Sequence, residues 1–246
     1  MSNTREERFR VYTHDVDGAG KLTLAAAFNY FQEIAGNHAQ DLGVGRDFMT
    51  ASGQAWILSR MTAVLDRRSR WGAEVRVRTW PRGTARLFAI RDYEMACEEG
   101  KVVGRGRSAW LIVDTATLRP RRPEALAASL PTNEGMDALP DGAQGLSERD
   151  GLQDVGRRTA AYSDIDHNGH VNNARYVQWI QDVLPVDELE AADRMRLDIN
   201  YLGEVKPGST VRLRAARMEG GWALEGRHED GDTPAFRAEL RLSPTA

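Results

Sequence analysis

The chain has 246 residues, 41% of them apolar, which is enough to build the core of one large domain or of two small ones. Its formal net charge is −3 and its pI is near 6.0, so the protein exerts no long-range attraction on nucleic acid. The composition therefore argues against a wholly disordered chain, and the charge argues against a DNA-binding protein.

The sequence contains no segment typical of a signal peptide or of a membrane span, and it contains one cysteine. The first ten residues contain no apolar run, and no later segment approaches the roughly 18–20 apolar residues of a membrane span. We therefore expect no signal peptide, no membrane span and a cytoplasmic location. Cys97 is the only cysteine, which excludes an internal disulfide, and its place in an apparent strand indicates a packing residue.

A helix followed by strands is predicted in the first half of the chain. Apolar residues spaced by three and four predict a helix over Leu24–Leu42, in which His38 lies on the apolar face as a core histidine with a hydrogen-bond partner. Alternating apolar and polar residues then predict four strands: Trp56–Val64, Glu74–Thr79, Phe88–Met95 and Val102–Val113.

The middle of the chain has the composition of a linker. From Arg119 to about Gly156 it contains four prolines and no sustained periodicity. We predict a first unit over residues 1–130, a linker over 131–156 and a second unit over 157–246.

The second half repeats the same order of elements. A helix is predicted from Asn172 to Leu184, where Pro185 stops it. Four strands are predicted after it: Arg196–Tyr201, Thr210–Ala216, Trp222–Arg227 and Ala235–Leu242.

The two halves also match residue by residue. Asp15–Glu33 aligns without gaps with Asp164–Asp182, with five identities in nineteen pairs, and Trp71–Arg78 aligns later with Pro207–Arg214. The shared order of these matches indicates an internal duplication. A helix and a curved antiparallel sheet, each present twice, predict an α+β protein in which two helix-wrapped sheets lie side by side as one continuous sheet.

A polar triplet before the second helix, Asp166, Asn168 and His170, is found in one copy only. In the alignment of the two halves, these residues correspond to Asp17, Ala19 and Lys21. The turn that feeds a helix favours negative charge, such as the oxyanion formed from a thioester. In that turn an asparagine can donate to a carbonyl, a histidine titrates near neutral pH, and an aspartate can orient the imidazole or help to activate water.

A turn without catalytic function explains the same residue types, because Asp, Asn and Gly are common in turns and at helix N-caps. The spacing alone therefore leaves both interpretations open. The internal comparison favours a site, since a single active site needs the triplet in one copy only, whereas a cap could use either set in both copies.

The segment Asp164–Tyr176 resembles the signature of the acyl-acyl carrier protein thioesterase family, Asp-x-Asn-x-His-Val-Asn-Asn followed by a basic residue and Tyr. Motifs similar to the family run through the first half: Asn29–His38, Trp56–Arg60, Arg70–Gly72, Thr79–Gly83, and Ser108–Trp110 before Arg119–Pro123. The resemblance covers about residues 8–245. It implies a tandem double hot-dog fold, no metal or organic cofactor, and catalysis by the polar triplet.

The same resemblance adds Glu204 to the catalytic residues. In the plant enzymes an acidic residue at this position precedes a cysteine, but here the next residue is Val205. We therefore expect no thiol nucleophile and predict hydrolysis by water, which Glu204 and Asp166 activate or position with His170 while Asn168 and backbone amides hold the carbonyl. Transient acylation of Asp166 is the alternative.

The resemblance implies hydrolysis of fatty acyl-acyl carrier protein to free fatty acid and carrier, with a non-catalytic first unit that shapes acyl-chain preference. An acyl-CoA thioesterase, a hot-dog dehydratase and a non-enzymatic acyl-binding protein are the alternatives, and homodimer formation is left open. Two groups of cations either dock the acidic carrier or are solvated strand ends. They are Arg67, Arg68 and Arg70, and Arg119, Arg121 and Arg122.

Overall fold

The computed structural model describes residues 3–123 and 130–244. The first half contains two helices and six strands: β1 Arg5–Arg10, α1 Leu24–Asp41, α2 Arg46–Ala51, β2 Gln54–Leu65, β3 Glu74–Ala85, β4 Phe88–Cys97, β5 Val102–Asp114 and β6 Pro120–Arg121. The second half contains β7 Gln153–Thr159, α3 Asn173–Asp182, α4 Val186–Ala191, β8 Ala192–Tyr201, β9 Thr210–Met218, β10 Gly221–His228 and β11 Pro234–Pro244.

The two long helices and all eight strands expected from periodicity are confirmed. Sequence analysis did not identify β1 and β7, because Phe9 and Val155 are their only large apolar residues. Both strands lie at sheet edges, where one neighbour suffices and strongly apolar alternation is not required. β7 begins inside the segment predicted as the linker.

The strands form one antiparallel sheet in the order β1-β3-β4-β5-β2-β8-β11-β10-β9-β7, with β6 paired to β5. β2 and β8 join the two halves through a register that runs from Arg60 opposite Asn200 to Leu65 opposite Met195. The prediction of a single continuous sheet is therefore confirmed. This pairing is symmetric between the halves, because β2 and β8 are each the first strand after the helices of their own unit.

One face of the sheet carries α1 and α3, whose apolar sides are buried. Phe31 and Ile34 of α1 and Val177 of α3 are fully buried in the common core. The helices also bond to each other, since the Asn172 side chain donates to Gln32 Oε1 at 3.2 Å. Packing of the helices across the junction thus places the start of α3 against the middle of α1.

The opposite face of the sheet is crossed by residues 130–152, which we call the strap. Its backbone N–H groups donate to polar side chains that point away from the helices. Ala138 donates to Asp92 Oδ2 at 2.9 Å, and Leu146 donates to Asn200 Oδ1 at 2.7 Å. Asp92 is fully buried. The strap therefore reaches β7 at the far edge of the sheet along a fixed path.

Candidate active site

A tight turn directly before α3 carries three of the predicted site residues. It closes through hydrogen bonds from the Asp166 N–H to the His170 carbonyl and from the Gly169 N–H to the Asp166 carbonyl, both 3.0 Å. Gly169 has a φ of 84°, a left-handed conformation that glycine adopts without strain. The turn therefore holds Asp166, Asn168 and His170 on one short segment at the entrance to the helix.

Asp166 organises the side chains of this turn. Its Oδ1 accepts the Asn168 N–H at 2.7 Å, and its Oδ2 accepts from the Asn168 side-chain amide at 3.4 Å. His170 is half-buried, and within the described ranges its ring makes no hydrogen bond to another group. The asparagine amide is thus oriented by the aspartate, while the imidazole remains available to water or substrate.

Glu204 is brought beside the turn by the backbone of the next residue. The Val171 N–H, directly after the turn, donates to the Val205 carbonyl at 2.9 Å. Val205 is fully buried, whereas Glu204 is exposed. This contact explains how a residue distant in sequence joins the turn, with its carboxylate on the solvent side.

A buried tyrosine lies under the same place. The Tyr176 hydroxyl accepts the Val205 N–H at 3.2 Å. Burial raises the pKa of Tyr176 above its ordinary value, and the negative charges of Glu204 and Asp166 raise this pKa further. The buried hydroxyl therefore stays protonated at neutral pH.

The first unit contains the same turn with different side chains. There the Asp17 N–H donates to the Lys21 carbonyl and the Gly20 N–H donates to the Asp17 carbonyl, both at 2.9 Å. These are the bonds made by Asp166 and His170 in the second unit. The alignment read from the sequence, which set lysine against histidine, is therefore an equivalence of position in the fold.

A second shared contact extends this equivalence to Glu204. The Leu22 N–H donates to the Ser69 carbonyl at 2.8 Å, so Ser69 corresponds to Val205. The residue before it, Arg68, therefore corresponds to Glu204. The two copies thus present opposite charges at this position.

The turn of the first unit is filled by its own side chains. The Arg68 side chain is only 1% exposed, forms an ion pair with Asp17 and donates to the Leu22 carbonyl at 2.7 Å. Lys21 Nζ donates to Asp193 Oδ1 at 2.5 Å. Its charged groups are paired with one another or with the second unit, whereas in the second turn Glu204 is exposed and the half-buried His170 ring makes no hydrogen bond to the described residues.

The comparison with known protein families follows this division into two units. The model of the acyl-ACP thioesterase N-terminal domain matches residues 2–127, and that of the C-terminal domain matches residues 151–237. The chain belongs to the acyl-ACP thioesterase family.

Curated relatives from plants are similar over most of this chain. A chloroplastic palmitoyl-acyl carrier protein thioesterase of Gossypium hirsutum is 28% identical over 84% of this chain and 53% of its own length. A chloroplastic acyl-[acyl-carrier-protein] hydrolase of Cuphea viscosissima is 25% identical over 95% of this chain and 60% of its own length. The chain thus spans a little over half the length of these curated relatives.

Solved structures of the family share the whole architecture. An acyl-ACP thioesterase from Bacteroides thetaiotaomicron has a TM-score of 0.81 and 26% identity, covering 99% of this chain and 100% of its own. A 12:0-ACP thioesterase from Umbellularia californica has a TM-score of 0.79 at 23% identity, covering 100% of this chain and 99% of its own, and that likeness concerns the fold. The fold is the predicted tandem double hot-dog.

Several predictions about single residues can be compared with the structure. His38 is confirmed as a core histidine, since it is 1% exposed and its Nδ1 lies 3.0 Å from an Arg91 nitrogen. Cys97 is confirmed as a buried residue. Both interpretations of Arg68, as a docking cation or a solvated strand end, are wrong because its guanidinium is buried against backbone carbonyls.

Sequence analysis missed the importance of Arg68 and Tyr176. The alignment of the two halves contained a signal for both, because Arg68 aligns with Glu204 and Tyr176 aligns with Ala27 once the offsets are applied.

Within the described parts of the chain, no group of three His, Cys, Asp or Glu side chains is placed to hold a metal ion, and no helix is long and apolar enough to cross a bilayer.

Proposed function

We propose that the protein hydrolyses fatty acyl-acyl carrier protein, releasing free fatty acid and carrier thiol. The observation that carries the proposal is the contrast between two equivalent turns. One is filled by a buried arginine and a paired lysine, and the other carries the half-buried His170 and the exposed Glu204, whose side chains make no ion pair among the described residues. Membership of the family supports the proposed reaction, and the contrast between the turns supports its proposed location.

The reaction is a hydrolysis in which water attacks the thioester carbonyl. In this proposal the Asn168 amide and backbone N–H groups at the start of α3 stabilise the oxyanion, since a helix N-terminus favours negative charge. As the tetrahedral intermediate collapses, the carbon–sulfur bond breaks. The proton taken from water is returned to the sulfur of the leaving carrier thiol.

His170, Glu204 and Asp166 share the handling of that proton in this proposal. The imidazole of His170 acts as the acid–base group of the site, and the carboxylates of Glu204 and Asp166 act with it to activate or position the water. A thiol nucleophile has no counterpart, since Val205 occupies the position of the plant cysteine and is fully buried. Acylation of Asp166 remains the alternative route, and trapping of an acyl-enzyme would favour it.

The substrate cleft is proposed between the second turn and the start of β2. In the first unit the turn contacts the start of β8, since Arg68 donates to the Ala192 carbonyl at 3.2 Å. β2 and β8 are related by the symmetric pairing at the centre of the sheet, so the start of β2 corresponds to the start of β8. Its residues Gln54–Ile57 are only half-buried. A half-buried strand beside an unfilled turn is where a thioester could enter.

The division of labour between units is part of the same proposal. We propose that residues 1–130 form a unit that receives the acyl chain, that residues 157–246 form the catalytic unit, and that residues 131–156 link them. Supporting this division, the N-terminal family model matches residues 2–127 and the C-terminal family model matches residues 151–237. Location in the cytoplasm and assembly as a homodimer stay predictions.

A thiol-release assay tests the proposed function. Purified protein is given the same fatty acid as a carrier-protein thioester and as a coenzyme A thioester, over a panel of chain lengths. Faster release of thiol from the carrier thioester is expected. Preference for coenzyme A thioesters would replace the proposal by the acyl-CoA thioesterase alternative, and formation of an enoyl product would replace it by a dehydratase.

A further inference from the structure

Tyr176 is the fourth residue of α3, and its ring is held on three sides. The ring packs edge-on against Tyr201 at 5.5 Å and Phe236 at 5.7 Å and is tilted against Trp179 at 5.4 Å. The side chain is 3% exposed. Such packing leaves the ring little freedom, so the position of its hydroxyl is fixed by the core.

The hydroxyl contacts the backbone that carries Glu204. It accepts the Val205 N–H at 3.2 Å, while the carbonyl of the same residue accepts the Val171 N–H at 2.9 Å. Val205 is therefore bonded on one side to the core of α3 and on the other to the residue that ends the catalytic turn. These two bonds fix the backbone of Val205, and with it the point of the chain from which the Glu204 side chain extends.

The duplicated turn offers an internal comparison for this contact. The position of Tyr176 is occupied in the first unit by Ala27, which is fully buried and has no hydroxyl. There the residue corresponding to Glu204 is Arg68, which is fixed by its own hydrogen bonds to carbonyl groups. The tyrosine is thus present in the unit where the corresponding side chain is the exposed Glu204. It is absent in the unit where that side chain is Arg68, which is fixed by its own hydrogen bonds.

Aromatic packing alone does not account for the hydroxyl. A buried hydroxyl costs free energy unless it is hydrogen-bonded, and a phenylalanine would fill the same space against the three rings. The Val205 N–H satisfies the oxygen as an acceptor. The hydroxyl is therefore accounted for by its bond to Val205, which the aromatic packing does not require.

We propose that Tyr176 is a positioning residue that holds Glu204 at the catalytic turn through the backbone of Val205. The inference rests on the proposed function, because it gives Glu204 a task in hydrolysis. Tyr176 does not contact the thioester in this account. It acts by fixing the carboxylate at the distance from His170 that activation of water requires.

The test combines Tyr176→Phe with Glu204→Gln in a double-mutant cycle on acyl-carrier hydrolysis. Loss of the hydroxyl is expected to lower kcat by about tenfold to a hundredfold, with a change in KM of less than about twofold. In the double variant, kcat should be no lower than in Glu204→Gln alone, because both changes remove the same positioned carboxylate. Circular dichroism and thermal unfolding give the folded fraction for each variant.

Tyr30→Phe is the matched control. Tyr30 is also buried on the first helix, and its hydroxyl donates to Asp15 Oδ2 at 2.7 Å beside the turn of the first unit. This variant should lose stability to a similar or greater extent while kcat stays near the wild-type value. A role of Tyr176 in stability alone would make the two variants behave alike.

Each outcome decides the inference. Equal kcat in Tyr176→Phe and the wild type, beside a strongly impaired Glu204→Gln, overturns the positioning role and leaves the proposed function standing. If the fold losses of kcat in the two single variants multiply in the double variant, the positioning role is overturned as well. Residues that act independently contribute additively to the free energy. Absence of hydrolysis by the wild-type protein overturns the proposed function and the positioning role together.

Discussion

Arg68 and Glu204 occupy the same position in the two copies of one backbone turn, and they carry opposite charges there. The arginine is buried and bonded to the Leu22 and Leu189 carbonyls at 2.7 and 2.9 Å, so it also fastens the first unit to the second. The glutamate is exposed. One duplicated turn therefore serves stability in the first unit and is proposed to serve chemistry in the second.

Replacement of Arg68 by alanine should destabilise the protein strongly. The change leaves Asp17 without its buried partner and several carbonyls without a donor, so we expect a loss of about 3–5 kcal/mol in the free energy of unfolding. Denaturant unfolding measures it. Arg70→Ala is the control, because Arg70 is exposed, and a loss within about 0.5 kcal/mol is expected there. Equal small losses would contradict the bridging role of Arg68.

Replacement of Glu204 by arginine should reproduce the inactive copy in the second unit. We expect turnover to fall by about a hundredfold to ten-thousandfold, because the carboxylate that handles the proton with His170 is lost and a positive charge opposes imidazolium formation. Stability should change little, since Glu204 is exposed. Initial rates of thiol release and a thermal melt check both points. Retention of wild-type turnover would remove Glu204 from the site.

The strap should loosen when Asp92 is replaced. Asp92 accepts from Arg107 at 2.7 Å through both oxygens and from the Ala138 N–H at 2.9 Å. Asp92→Ala leaves the half-buried Arg107 with Asp137 as its carboxylate partner and removes the acceptor of the Ala138 N–H, so a loss of about 1–3 kcal/mol and faster proteolysis within residues 130–152 are expected. Asp141→Ala, which breaks an exposed pair with Arg196, should leave the cleavage rate unchanged. Similar cleavage of both variants would contradict the anchoring role.

Carrier docking should depend on Arg119 and Arg122 more than on Arg67 and Arg70. The first pair follows β5, whose end at Asp114 pairs with the start of β2 beside the proposed cleft. The second pair lies near the filled turn of the first unit, where Arg70 donates to the Ala19 carbonyl.

Charge reversal separates these two surfaces. Arg119→Glu with Arg122→Glu should raise KM for acyl-carrier substrate by about tenfold at low salt and leave KM for acyl-CoA unchanged. Arg67→Glu with Arg70→Glu is the matched control. An equal effect of both double variants, or none of either at low ionic strength, would argue against docking at this end of the sheet.

Much of the fold could be predicted from the sequence because its signals are local. Periodicity located α1, α3 and the eight inner strands, and duplication located the two units. Edge strands such as Arg5–Arg10 carry little apolar pattern and were not found. Polar contacts that span the units, such as the bond from Arg68 to the Leu189 carbonyl, depend on the arrangement of the strands and leave no signal at either residue.

The candidate site shows the same division. Asp166, Asn168 and His170 could be selected because they lie together in one turn and differ from the other copy. Glu204 could be selected only from the resemblance to a family, because its position beside the turn depends on the hydrogen bond between Val171 and Val205. Tyr176 was part of the recognised signature, but its contact with Val205 becomes visible only in the fold.

We propose that the turn of the second unit performs the hydrolysis. Two histidines in that turn, His167 and His170, allow a direct test. His167 is exposed and His170 is half-buried on the same turn, so His167→Ala is the control for His170→Ala. Thiol release from acyl-carrier substrate is measured for both folded variants. We expect near-wild-type turnover for His167→Ala and a loss of about a hundredfold to ten-thousandfold for His170→Ala. Near-wild-type turnover by folded His170→Ala would contradict the proposal.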